Sequence, residues 1–257
     1  RIDDLRPDRI IRSDITEKKD LDNLFKQHQF KTIFDLAAYG AYSKQTDVKL
    51  TYQTNVLGLL NLLEVSSAYN IKAFVHAGSS SEYGLNCQEP LENAELLPNS
   101  HYAVTKASAS NMIKYYGTIL EFPVVNLRYY SIYGEYEEPD RLVPQLIEKG
   151  MKKEYPPLVQ PDISRDFVYI DDTIYATLLT ANANFKTIGG QSINIASNKK
   201  TTIRHIAKTV KEIFEIDTEP VWGDFANRKW DLKEWYGNSA LAKKLLNWEA
   251  TTSLKDG

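Results

Sequence analysis

Cysteine is almost missing from this sequence. A single Cys87 among 257 residues rules out an internal disulfide. No Cys-x-x-Cys or His-Glu-x-x-His pairing occurs, and His28, His76, His101 and His205 lie far apart, so no metal site is expected. Positive charge is also in short supply. The formal charge of −3 and pI near 5.9 leave no basic surplus to neutralise phosphates, which argues against a nucleic-acid partner. The apolar runs are strand-sized, well below the ~20 residues of a membrane helix. No charged-then-apolar leader opens the 257 residues. The expectation is a soluble, cytoplasmic protein that works on small molecules or proteins.

What remains is ample for folding. A composition of 42% hydrophobic and 25% charged residues suits one α/β unit or a large domain with a smaller one. Short apolar runs rich in β-branched and aromatic residues alternate with stretches of helical periodicity. Arg9 to Arg12 and Thr32 to Ala37 read as strands, with a helix between them that Thr16 could cap. Asn55 to Glu64 carries leucine and valine at three- and four-residue steps. Ala73 to Ala77 reads as a strand running into the polar loop Gly78 to Gly84. A helix opens near Ser100, and Pro123 to Tyr129 reads as another strand. Asp171 to Asn182 looks helical and Ser192 to Ala196 strand-like. Strand followed by helix, repeated, predicts a parallel sheet with ligands at the carboxyl ends of its strands.

Tyr102 and Lys106 stand four apart on a predicted helix, so their side chains share a face. An ammonium beside a phenol stabilises the phenolate and makes Tyr a usable acid/base near neutral pH. With 16 tyrosines in the chain, about one such pair is expected by chance. Position raises its weight. Ser79-Ser-Ser81, at a strand's carboxyl end one unit earlier, offers hydroxyls able to hold a substrate oxygen.

Nine segments in order carry a family resemblance: Asp14-Ile15, Leu36-Ala-Ala38, Asn55-Val-Leu-Gly58, Ser79 to Gly84, Tyr102 to Lys106, Asn126 to Gly134, Arg141 to Pro144, Ser164 to Asp172, and Arg228 to Asp231. By these the chain resembles the extended short-chain dehydrogenase/reductases, in the nucleotide-sugar epimerase/dehydratase group. The resemblance implies a Rossmann-type doubly wound parallel sheet with a smaller mixed substrate-binding lobe. It divides the chain into 1–134 plus about 165–197 for the dinucleotide domain, and 135–164 with 198–257 for the small lobe, with the sites between them.

The resemblance also implies roles. Tyr102 would be the catalytic acid/base, with Lys106 lowering its pKa and holding the nicotinamide ribose, and Ser79 would hold the reacting oxygen. Asp14 and Ile15 would contact adenine. Leu36, Ala37, Ala38, Tyr39 and Asn55 would line the path of the pyrophosphate and ribose, and Tyr129 and Tyr130 would approach the nicotinamide. Ser80, Ser131, Arg141, Arg165 and Arg228 would bind substrate, the arginines gripping a diphosphate with their guanidinium forks. Asp166, Asp171 and Asp172 are available as partners for those arginines. A homodimer through the helices around Asn55 and Tyr102 belongs to the same set of expectations.

Three departures from the family pattern bear on the chemistry. The first strand and the glycine-rich turn that seats a pyrophosphate do not occur in these 257 residues. The residue that distinguishes NAD from NADP normally follows the family's second strand, which falls before or at the start of these residues. Ser80 and Ser81 stand where sugar 4,6-dehydratases carry acidic residues, and Glu82 is one place further on. Ser131 stands where epimerases commonly have Asn. The expected activity is therefore NAD- or NADP-dependent epimerisation or ketoreduction of a nucleoside-diphosphate sugar at C4. A 4,6-dehydratase and a non-catalytic nucleotide binder are the alternatives.

Overall fold

The computed structural model describes residues 6–224 and 232–257. The elements in order are α1 (Lys18–Gln27), β1 (Thr32–Asp35), α2 (Val48–Tyr52), a π-helical turn (Gln53–Gly58), α3 (Leu59–Ser67), β2 (Ala73–Ser79), a 3-10 turn (Ser80–Tyr83), α4 (His101–Thr118) and β3 (Val124–Tyr129). They continue with β4 (Ser131–Tyr133), α5 (Leu142–Gly150), β5 (Ser164–Arg165), β6 (Phe167–Tyr169), α6 (Ile170–Ala181), α7 (Phe185–Ile188), β7 (Ser192–Ile195), β8 (Thr201–Thr202), α8 (Ile203–Phe214) and α9 (Ala240–Leu246). The central sheet runs in the order β1-β2-β3-β7, and β1 pairs parallel to β2 with Asp35 opposite His76. This is the expected α/β architecture.

The chain divides into two compact units. One comprises Arg1–Gly84, Leu96–Arg128 and Thr177–Ile193; the other comprises Leu85–Glu95, Tyr129–Ala176 and Asn194–Gly257.

In the first unit the leucine periodicity translates directly into packing. Leu59, Leu62, Leu63 and Val65 of α3 pack with Leu21 and Phe25 of α1, Phe74 of β2, Ala109 and Ile113 of α4 and Val124 of β3. Ser100 caps α4 by accepting from the Ala103 backbone N–H. Two local expectations fail. Residues 9–12 do not form a strand: Ile10 is extended, with φ −110 and ψ 117, but no neighbouring strand among the described residues pairs with it, and a strand needs a ladder partner. Thr16 does not cap α1. Glu17 holds the cap position without a side-chain bond, and the Thr16 hydroxyl donates instead to Asp14 Oδ1 at 2.8 Å.

The second unit has its own core, in which Ile203, Ile206, Ala207 and Val210 of α8 pack with Leu146 of α5, Leu158, Ile163 and Ile216. Buried carboxylates tie its loops together. Asp166 accepts from the Ser197 N–H and hydroxyl and from the Gly237 N–H. Asp172 accepts from the backbones of Thr251 and Thr252, while its carbonyl takes the Trp248 indole N–H at 2.9 Å. These bonds assign Asp166 and Asp172 to loop anchoring rather than to pairing with arginine.

Candidate active site

The carboxyl end of β2 is a strand end turned into a fixed loop. Ser79 accepts from the Ser81 N–H at 3.1 Å, and its own N–H donates to Glu82 Oε1 at 3.0 Å. This is a capping box, reciprocal by nature and hence rigid. Glu82 is fully buried and cannot leave. Its carboxylate takes Arg128 Nε at 2.6 Å and the Asn126 amide at 3.1 Å, and Arg128 also donates to the Tyr83 hydroxyl at 2.8 Å while its guanidinium lies 4.5 Å from the Tyr83 ring centre. Burial disfavours the Arg128 cation, but the Glu82 and Tyr83 contacts more than offset it and push its pKa up.

Lys106 joins α4 to this loop. It is 2% exposed, and its Nζ donates to the Ala77 carbonyl at 2.7 Å, two residues before Ser79 on β2. The same Nζ lies 5.9 Å from the centre of the Tyr102 ring. Burial pulls the Lys106 pKa below the usual lysine range, against the raising effect of Asp35 and Glu82. Tyr102 itself is half-buried in the first turn of α4. Such a partly desolvated ammonium beside a phenol is suited to stabilise a phenolate.

Below Lys106 lies a buried pair that the residue pattern alone did not single out. His76 Nδ1 sits 2.6 Å from Asp35 Oδ2, and an ionised carboxylate only accepts, so Nδ1 carries the proton. Asp35 Oδ1 accepts from the Ala37 N–H at 3.2 Å. Burial raises the Asp35 pKa, yet His76, Lys106 and the Ala37 N–H together bring it below the usual carboxylate range. The available signal was a titratable residue in each of two apolar strands, Asp35 ending β1 and His76 three residues before the end of β2, near the edge where such sheets bind ligands. Asn126 and Arg128 were equally readable as an i, i+2 pair on one face of β3.

The expected cofactor residues fall into two groups. Asp14, Ile15, Ala37 and Ala38 line one open cleft of about 600 Å³, with Arg12, Ser13, Asp20 and Thr54. Asp14 is exposed, its pKa lowered by the Thr16 N–H and hydroxyl, while Ile15 packs so closely on Gly58 that a Cβ there would lie 2.7 Å from its Cδ1. Leu36, beside the cleft residues in sequence, is 66% exposed. Asn55 is different. It is buried, and its amide brackets the backbone of Tyr39, accepting from its N–H and donating to its carbonyl, both at 2.8 Å, while also donating to Thr105 Oγ1 at 2.9 Å. With both amide hydrogens committed, Asn55 shapes the Tyr39 loop instead of donating to a ligand.

The remaining expected residues lie in the second unit, except Ser80, which is buried beside Ser79. Tyr129 ends β3 and Tyr130 is buried. Ser131 opens β4 and its N–H donates to the Asp166 carbonyl at 2.9 Å. Arg141 pairs with Glu137 at 3.1 Å just ahead of α5. Arg165 donates to the carbonyls of Ser164 and Leu232 and stacks 5.6 Å from the Trp235 ring centre. Arg228 lies outside the described residues.

The NAD dependent epimerase/dehydratase family model matches residues 1–196. The chain belongs to this family. Over 256 residues this member is 30% identical to the UDP-glucuronate 4-epimerase of Thermodesulfobacterium geofontis, covering 95% of the chain and 75% of that relative. Among solved structures, UDP-glucose 4-epimerase of Thermotoga maritima, determined with UDP-glucose, superposes with a TM-score of 0.89 at 26% identity, over 100% of the chain and 84% of its own. UDP-glucuronic acid 4-epimerase of Bacillus cereus, in complex with UDP-glucuronic acid and NAD, gives 0.83 at 28% identity, over 96% and 78%. As a family member the chain is of a class of enzymes that use a nicotinamide cofactor, and the cleft and Lys106 are compatible with one: Ala37 and Ala38 are exposed and small, and a buried ammonium stands ready beside Tyr102.

Proposed function

We propose that this protein is an NAD-dependent 4-epimerase of a UDP-sugar. The observation that carries the reading is the tethering of Lys106 between Tyr102 and the carboxyl end of β2, where Ser79 sits, in a chain related to UDP-sugar 4-epimerases. Asp14, Ile15, Ala37 and Ala38 would hold the dinucleotide, with Leu36 and the Tyr39 loop braced by Asn55. The bound nicotinamide supplies reversible hydride acceptance from the sugar carbon. Tyr102, as phenolate, takes the C4 hydroxyl proton as that carbon is oxidised and returns it once the ketone has presented its other face. Lys106 stabilises the phenolate, and Ser79 donates a hydrogen bond to the sugar oxygen. Tyr129 and Tyr130 would border the reacting ring, and Ser80, Ser131, Arg141, Arg165 and Arg228 would bind the substrate, its diphosphate falling to the arginines. A cytoplasmic homodimer is part of the same proposal.

A 4,6-dehydratase needs a carboxyl group free to remove a C5 proton. Glu82, the acidic residue nearest Ser79 in sequence, is locked to Arg128, Asn126 and the Ser79 N–H, which supports epimerisation over dehydration. Incubation with UDP-glucose, UDP-glucuronate and their 4-keto forms, with and without NADH, tests the reading. Turnover without net NADH consumption is the expected result. Stoichiometric consumption would instead select a ketoreductase, and the absence of both turnover and cofactor binding would overturn the enzyme assignment.

A further inference from the structure

The proposed proton step leaves unexplained why a sheet buries a carboxylate and an imidazole side by side under its catalytic edge. Asp35 and His76 occupy opposed positions on neighbouring strands β1 and β2, each 5% exposed or less. Neither is a solvated surface residue, and burying both is costly unless the contact serves something. His76 Nε2, also buried, has no hydrogen-bond partner among the described residues, so the ring is held by its Nδ1 bond alone.

Two backbone links lead outward from the pair. Asp35 Oδ1 takes the N–H of Ala37, which lines the open cleft. His76 immediately precedes Ala77, whose carbonyl anchors Lys106 Nζ. The charged and titratable groups around Lys106 are Asp35 on β1, Glu82 on the 3-10 turn and Tyr102 on α4 itself, with His76 on β2 joined through Asp35 and Arg128 on β3 joined through Glu82. Glu82 is already neutralised by Arg128 at 2.6 Å. Asp35, paired with an imidazole and not with a lysine or arginine, is the carboxylate left to balance Lys106.

We propose that Asp35, oriented by His76, is a positioning residue that supplies the counter-charge for the Lys106 ammonium and thereby sets the pH range over which Tyr102 can exchange a proton. The inference rests on the proton-transfer reading of Tyr102 and Lys106. His76 acts as the clamp. Its Nδ1–H fixes the Asp35 carboxylate so that one oxygen shapes the 36–38 loop while the charge stays near Lys106. Removing that charge destabilises the Lys106 cation and stabilises the Tyr102 phenolate, so both limbs of a bell-shaped profile move the same way, toward lower pH.

The test is the pH profile of kcat/KM for the wild type, Asp35→Asn and Asp35→Glu, with ¹⁵N NMR of the histidine rings as a readout independent of turnover. Asp35→Asn should shift the alkaline limb down by roughly one pH unit and move the His76 ring signal, assigned by its loss in His76→Gln. Asp35→Glu, which restores the charge, should return the limbs toward wild type even if its rate is reduced. A lower rate with both limbs unmoved in Asp35→Asn would show a packing role and overturn the proposal. Tyr102→Phe separates the two readings: if it keeps full activity the proton-step assignment fails, whatever Asp35 does.

Discussion

Tyr102 and Lys106 lie side by side because a four-residue step keeps them on one face of α4, and the Ala77 carbonyl holds Lys106 there. Replacing Tyr102 with Phe would remove the proposed proton carrier and little else. We expect kcat to fall by about 10²–10⁴-fold while NAD affinity, measured by calorimetry, stays within a few-fold of wild type. Glu82 calls for a different assay. Glu82→Gln leaves the buried Arg128 guanidinium without its counter-ion, which should cost about 3–5 kcal/mol in urea unfolding. The Asp35 carboxyl has a depressed folded-state pKa, so its stabilising effect is fully present above the unfolded value near ~3.9 and is lost as pH falls through the lower folded value. Acid unfolding of Asp35→Asn should therefore show a weaker pH dependence in that window. At this scale the sequence was partly legible. Tyr102, Lys106 and Ser79 stood in motifs, but Asp35 and His76 sit 41 positions apart, and only the pairing of β1 with β2 brings them together.

Among the elements, α3 follows the hydrophobic periodicity closely, burying Leu59, Leu62, Leu63 and Val65, whereas β1 leaves Phe34 exposed and buries Asp35. The stretch 9–12 does not form its expected strand, since a strand exists only with a partner. The polar loop after β2 reads in sequence as a turn, whereas it is a capping box whose geometry depends on residues of β3. Gly78 shows how tight that junction is: a Cβ there would lie 2.2 Å from Asn126 Oδ1 and 2.7 Å from Glu82 Oε1. Gly78→Ala should thus displace the Asn126–Glu82 contact, lowering the melting temperature and the activity together. In the second unit, Tyr133 packs against Tyr169 and donates to the Ser253 carbonyl, and burial foremost, then Asp172, pushes its pKa up to about 12. Its stabilising effect is complete below the unfolded pKa near ~10 and fades as pH climbs toward the folded value. Tyr133→Phe should remove that alkaline sensitivity in thermal melts.

For the molecule as a whole, the family resemblance implied two lobes with a boundary after Gly134; the course of the two compact units along the chain was not legible. Each compact unit is assembled from three separate stretches of chain, and a change of unit inside β3 or β7 leaves no mark in composition. Each unit carries a separate core, so Leu63→Ala in one and Leu146→Ala in the other, both fully buried, should each cost about 2–5 kcal/mol. NAD at a hundredfold excess over its Kd should stabilise the native protein by about 2.7 kcal/mol. No change in the melting temperature at saturating NAD would contradict the cofactor assignment.

The π-helical turn between α2 and α3 has a consequence for what the gene can tolerate. Thr51, Asn55, Leu59 and Leu63 are all buried, spaced four apart, and in a helix of 3.6 residues per turn three such steps drift by ~120°. The wider turn at Gln53–Gly58 absorbs most of that drift, keeping the amide that brackets Tyr39 in phase with the leucines that fill the core. Deleting one residue there would tighten the helix to regular pitch and swing the two out of phase by ~100°. A frame-preserving codon loss in this stretch, harmless on an exposed helix, would force a choice between the loop and the core.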